Sequence, residues 1–172
     1  VDLENLFRRQ IELQSLFDFD VSEQQAVVAL AAEWGEFLNA VKGKWAWWKR
    51  HGSGFTQEEY NTIVDEAADV LHFWLLRRLA MTGLEQSLDN TTDMLAVLYA
   101  QDDIEDADLV DILSKCKAKT FEDAVRRFVE SDMLSLCEML NAFRLAGLDV
   151  EDVHGRYYAK ALVNIHRWTE PR

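Results

Sequence analysis

Residues 56–81 read TQEEYNTIVDEAADVLHFWLLRRLAM, and this stretch decides the fold. Thr56 followed three residues later by Glu59 is a capping-box signature, in which each side chain satisfies a backbone amide at the start of a helix. Beyond it Ile63, Ala67, Val70 and Phe73 recur at helical spacing, which predicts a helix reaching about Met81. The same apolar stretch carries Glu66 and Asp69, two acids where a simple core would hold none.

Working outward, Ser22 and Gln25 form a second capping box, opening a helix to about Val41 with Ala26, Leu30, Phe37 and Val41 along one stripe. Upstream, Leu3, Leu6, Phe7, Gln10, Ile11, Gln14 and Phe17 are spaced as a helix over 3–17. Downstream, a helix is expected from near Leu84 to before Asp102. Thr120 with Asp123 starts a long one through Phe128, Leu136, Leu140 and Phe143, and Gly147 stops it. The last runs from about Val153 to Trp168. With one proline and seven glycines among 172 residues, the chain reads as an all-α bundle in a single domain over 1–172.

Composition narrows the function. Eighteen basic against 31 acidic side chains give a net charge of -13, which disfavours a broad nucleic-acid face, because a polyanion is repelled by most of the surface. The six acids between Asp102 and Asp111 read as a solvated helix start or loop, since burying them unpaired is costly. No apolar run is long enough to cross a membrane, and Asp2 and Glu4 stand where a signal peptide carries positive charge. Cys116 and Cys137 form no Cys-x-x-Cys pair and read as separate thiols packed as small hydrophobes, so a cytoplasmic location is expected. There is no phosphate-loop motif and no His-Glu-x-x-His helix.

The chemical signal is a pair of pairs. Glu33-Trp34-Gly35-Glu36 and Glu66-Ala67-Ala68-Asp69 each set two acids about 300° apart on a helix, neighbours one turn apart. One such pair is ordinary on a wet helix face. Two pairs within apolar helices would repel and lose hydration unless a cation compensates them, and carboxylates suit Mg²⁺. Asp65 and His72 flank the second pair. Glu58 and Glu59 differ, because first-turn capping and the helix dipole account for them.

A local charge reversal complements the acids. No acid occurs from Phe37 to Gln57, while Lys42, Lys44, Lys49 and Arg50 are basic, a candidate phosphate-binding patch. Trp45, Trp47 and Trp48 interrupt it and suit either a lid packed on the bundle or stacking on a base. Near the end of the chain Lys160, Asn164 and Arg167 fall on nearly one helical face.

With these residues in view, the chain resembles the dimeric all-α dUTPases, within the wider helical nucleoside-triphosphate pyrophosphatase superfamily that includes MazG-type enzymes. Glu33, Glu36, Glu66 and Asp69 match the superfamily acids. Lys44-Trp45-Ala46-Trp47-Trp48-Lys49 and Asp65 to Phe73 are similar to the dUTPase segments. Lys160 to Arg167 partly matches a terminal Lys-Asn-x-Leu-Asn-x-Phe-Arg pattern, with Ala161, Val163 and His166 departing from it. Leu13-Gln14-Ser15-Leu16 resembles a base-site segment in which Phe17 replaces an asparagine.

The resemblance implies a homodimer that hydrolyses dUTP to dUMP and pyrophosphate and accepts dUDP, with water attacking the β-phosphate of the substrate. Two or more Mg²⁺ ions would be held by Glu33, Glu36, Glu66 and Asp69, with Glu36 orienting and deprotonating the water. Lys44, Lys49, Lys160 and Arg167 are the phosphate-side candidates, and Gln14, Trp47 and Asn164 the nucleoside-side ones. Two alternatives remain open: a pyrophosphatase for dCTP or a modified pyrimidine nucleotide, and a noncatalytic helical interaction protein.

Overall fold

Both capping boxes form. Gln25 N donates to Ser22 Oγ at 3.1 Å while Ser22 N donates to Gln25 Oε1 at 3.0 Å, and Thr56 and Glu59 exchange the equivalent bonds at 3.1 and 3.4 Å. They open α2 (Glu23–Ala40) and α3 (Gln57–Met81), which share the most extensive helix–helix interface. The computed structural model describes residues 2–45, 54–101 and 108–169, the side chains of Lys44 and Trp168 excepted. Among them the remaining helices are α1 (Leu3–Gln14), α4 (Thr91–Ala100), α5 (Leu109–Ser114), α6 (Phe121–Glu130), α7 (Leu136–Leu145) and α8 (Val150–Thr169). No strand occurs among the described residues, so the architecture is all-α.

The long α3 also packs on α1 and α8, while α6 pairs with α7. Phe7 of α1 meets Trp74 of α3 at 6.0 Å between ring centroids. On α2, Trp34 lies 4.6 Å from Phe128 of α6, and Phe37 lies 5.0 Å edge-on from Phe143 of α7. These rings are buried, each contributing about 1.5–3 kcal/mol of transfer free energy, and they fix α2 against the α6–α7 pair. The broad α2–α3 interface in turn sets the relative positions of the acids those two helices carry.

Several expectations are corrected. The long helix through Phe128 and Phe143 is two, broken where Asp132 and Met133 take φ of 60° and 57°. No glycine or proline marks the break. It is held from outside, by buried Arg77 donating to both the carbonyl and the carboxylate of Asp132, the latter at 2.9 Å. α4 begins at Thr91 rather than near Leu84, because buried Gln86 is tied to the chain at Val21. Its Oε1 accepts from Val21 N at 2.9 Å and its Nε2 donates to Val21 O at 2.7 Å. α1 ends at Gln14, three residues early, where the Ser15 hydroxyl donates to the Glu12 carbonyl.

Cys116 and Cys137 are joined in a disulfide, with Cα atoms 5.5 Å apart, instead of packing as separate thiols. The α5–α6 connection is laid against the first turn of α7, which brings together residues 21 apart in sequence. The pairing removes the ground for reading a reducing compartment from cysteine usage. Among the acids of the 102–111 segment, Asp108 caps α5 by accepting from Val110 N at 2.8 Å and Asp111 is exposed; Asp102, Asp103, Glu105 and Asp106 lie outside the described residues. No helix among the described residues is long and apolar enough to cross a membrane.

Candidate active site

Glu33 leaves α2 between Leu30 and Phe37, both fully buried, so its carboxylate is carried at the edge of the core. Glu66 and Asp69 leave α3 on either side of Ala67 and Ala68, which are buried and short enough to let another helix lie close. As a result Glu33, Glu66 and Asp69 each place a carboxylate oxygen within 4.8 Å of the other two. Glu36 is exposed and borders, with Glu66, Asn39 and Gly35, a groove on the adjoining surface.

The electrostatics follow from that crowding. Burial raises the Glu33 carboxyl above the usual carboxylate range, and the charges of Asp69, Glu36 and Glu66 raise it further. Burial likewise raises Glu66, helped by Glu36 and Asp69. In both cases the Lys160 ammonium pulls the other way. One oxygen of Glu66, Oε2, is buried with no hydrogen-bond partner among the described residues. A buried orphan oxygen costs about 1–3 kcal/mol or more. Three converging carboxylates, two of them destabilised as anions, form a donor set that fits a hard divalent cation.

Opposite the acids stand cations from α8. Lys160 Nζ donates to Asp69 Oδ1 at 2.8 Å and to the Asp65 carbonyl at 3.2 Å. Arg156, one turn earlier, donates to Asp65 Oδ1 at 2.6 Å. Together with Glu33, His72 and Asn164 these residues line a cavity of about 550 Å³. Burial drives the His72 imidazole down to about 4, against the opposing pull of Asp69, so the ring is neutral at neutral pH. It sits edge-on to Phe73, 4.7 Å between centroids.

Of the substrate-side residues expected from sequence, Lys160 and Asn164 reach this cavity. Arg167 is exposed in the last turn of α8 and is not among the lining residues. Gln14 is buried at the end of α1, where its Nε2 donates to the Phe19 carbonyl at 3.3 Å, and it does not line the cavity either. The backbone of Lys44 ends a 3₁₀ turn over Lys42–Lys44. Trp47 and Lys49, with Trp48, Arg50 and His51, lie outside the described residues. Trp45 is half-buried and donates its indole N–H to the Leu38 carbonyl at 2.8 Å, which makes it a packing residue of the bundle.

Arg156 is the residue that sequence reading missed. Its signal was present: Arg156, Lys160 and Asn164 follow one another at four-residue steps, a single stripe of α8 facing α3.

A family model described as dUTPase covers residues 2–171. No curated protein and no solved structure matches significantly.

Proposed function

The chain belongs to the dUTPase family, and on that premise we propose that it is a Mg²⁺-dependent diphosphatase converting dUTP to dUMP and pyrophosphate, with dUDP as a second substrate. The observation that carries the reading is the convergence of Glu33, Glu66 and Asp69 from two helices, faced by Lys160 from a third across one cavity. Glu33, Glu66 and Asp69 would hold the metal, with Glu36, outside their cluster, left for the water. When bound, Mg²⁺ neutralises phosphate charge and acidifies a water.

The chain's own groups supply the rest. Lys160 gives up its Asp69 oxygen and turns its ammonium to a phosphate oxygen, a charge-assisted bond of the same kind. Arg156 binds the Asp65 carboxylate at 2.6 Å, closer than the 3.7 Å between that oxygen and Lys160 Nζ, and so takes the larger share of its charge. Glu36 stands apart from the clustered trio and is the most exposed of the four acids, so it is the group that orients the attacking water and takes its proton. Asn164 offers the nucleoside both a donor and an acceptor. Lys44, Lys49 and Arg167 are assigned to the phosphates and Trp47 to the nucleoside on the family resemblance alone.

A homodimer is part of the proposal. Leu162 and Val163 are more than half exposed in α8, and Val163 rims the cavity, so a second copy would both cover apolar surface and shield the reaction from water. Sedimentation of the purified chain at micromolar concentration tests this: a monomer contradicts it.

A second reading has its own support. Phe17 stands in place of a base-site asparagine and the Gln14 amide is committed to Phe19, so the base preference could have moved to dCTP or a modified pyrimidine nucleotide. A hydrolysis panel with and without Mg²⁺ separates the two. Preferred turnover of dUTP supports the first reading, preferred turnover of another pyrimidine triphosphate the second, and no turnover of any nucleotide rejects both.

A further inference from the structure

A second cluster of metal-ligating atoms lies away from the nucleotide cavity, at the disulfide. One ligand atom each from Cys116, Cys137 and Glu138 lies within 4.8 Å of the other two. Glu138 is 6% exposed, and its Oε2 is buried with no hydrogen-bond partner among the described residues. The placement of this side chain is informative. Glu138 is the third residue of α7 after the cap Ser135, the position from which a capping-box glutamate reaches back to the cap amide. That amide is instead taken by Ser131 Oγ at 3.0 Å, and Glu138 Oε1 accepts from Lys117 N at 3.2 Å. The carboxylate is thus turned away from the helix end and fixed beside the two sulfurs.

We propose that, when the disulfide is reduced, Cys116, Cys137 and Glu138 form a Zn²⁺ site. A dithiol reductant cleaves the S–S bond and is itself oxidised to its disulfide, leaving two thiols on the protein. Zn²⁺ then displaces both thiol protons and bonds two thiolates and the Glu138 carboxylate, with a water as the fourth ligand. Thiolate sulfur selects zinc over magnesium. Tetrahedral zinc with Zn–S of about 2.3 Å needs sulfurs about 3.8 Å apart, so the two sulfurs must separate once the bond between them is cut. The reduced thiols are accommodated meanwhile, since the Ile112 carbonyl lies 3.6 Å from Cys116 Sγ and 3.4 Å from Cys137 Sγ.

An entry path exists. Cys137 and Glu138 open onto a groove of about 440 Å³ bordered by Lys115, Lys117 and Arg127. Lys115 and Lys117 offset part of the negative charge of two thiolates and a carboxylate, while Arg127 is paired with Asp123 at 2.9 Å and Glu130 also borders the groove. The α5–α6 connection would thereby be stapled to α7 by a covalent bond under oxidising conditions and by a metal under reducing ones.

The test uses the full chain reduced with a phosphine, stripped of metal, and titrated with Zn²⁺ or Co²⁺ alone. The expected result is thiolate-to-cobalt charge-transfer absorption that saturates at one equivalent of thiolate-bound metal, a signal that cations held by the carboxylate cluster cannot produce. Cys116→Ser and Cys137→Ser should each abolish that absorption, and Glu138→Gln should weaken binding at least ~10-fold while keeping both thiols and native helicity. Asp69→Asn should leave it unchanged, so the result stands apart from the nucleotide site. Absence of the absorption in the reduced chain, its survival in either serine variant, or undiminished affinity in Glu138→Gln would overturn the proposal.

Discussion

Lys160 Nζ lies 2.8 Å from Asp69 Oδ1, so in this structure the ammonium already sits where a bound cation would compensate the acid cluster. Its charge lowers both Glu33 and Glu66 against the burial and repulsion that raise them.

Replacing it should be felt twice. Lys160→Met is expected to raise the KM for dUTP by about 10-fold or more, through loss of a charge-assisted phosphate contact. It should also move the acid limb of the pH–rate profile to higher pH, because the carboxyls that must ionise are then raised further. Steady-state kinetics from pH 5.5 to 8.5 would show both effects; an unmoved acid limb would remove Lys160 from the electrostatics of the site.

The acids trade stability for function. Asp69→Asn and Glu36→Gln should each reduce kcat by more than ~100-fold with helicity unchanged. Glu33→Gln should raise the melting temperature in chelator, since it relieves repulsion within the trio and its burial as an anion. Mg²⁺ should stabilise the wild type but not this variant. Melting curves with EDTA and with Mg²⁺ check the pair of expectations.

The break between α6 and α7 depends on a buried cation. Arg77 is 2% exposed and Asp132 is 77% exposed, so the pair is only half desolvated. Asp132→Ala should nevertheless cost about 2 kcal/mol, by leaving a buried guanidinium short of an acceptor and by placing a residue with a Cβ and no local hydrogen bond at φ 60°. Asp132→Asn should cost about half as much, because asparagine tolerates the left-handed region and keeps an acceptor. Urea denaturation measures both.

His72 sets an acid limit on folding. Its folded-state value of about 4 lies below the ordinary 6.5, so the unfolded chain binds the extra proton between them. Stability from this group is therefore full above about pH 6.5 and is lost as pH falls toward 4. Between pH 7 and pH 5 the loss is on the order of 2 kcal/mol. His72→Gln should remove that component. The comparison of wild type with variant isolates it from Glu33 and Glu66, whose raised values act in the opposite sense. Parallel urea curves at both pH values would refute the assignment if the two proteins lost equal stability.

Legibility in the sequence followed the range of the interaction. Ser22 with Gln25 and Thr56 with Glu59 set their helix starts through contacts three residues apart, and those starts were read correctly. The α6–α7 break and the late start of α4 were not, because Arg77 reaches Asp132 from 55 positions away and Gln86 reaches Val21 from 65. The acids were legible as anomalies on apolar faces. Arg156 was overlooked because an arginine on a half-exposed helix is ordinary until Asp65 is known to face it.

Local sequence alone settles that the chain is helical, where α2 and α3 begin, and which four acids are out of place. These depend on local hydrogen bonds and on the period of apolar residues. Tertiary structure alone decided that Glu33, Glu66 and Asp69 meet, that Glu36 stands aside, that Lys160 neutralises them, and that Cys116 and Cys137 pair. Each of those relations joins different elements of the chain, and its distance is set by packing such as that of Trp34 and Phe37 on Phe128 and Phe143. No spacing along the sequence encodes how closely two packed helices approach.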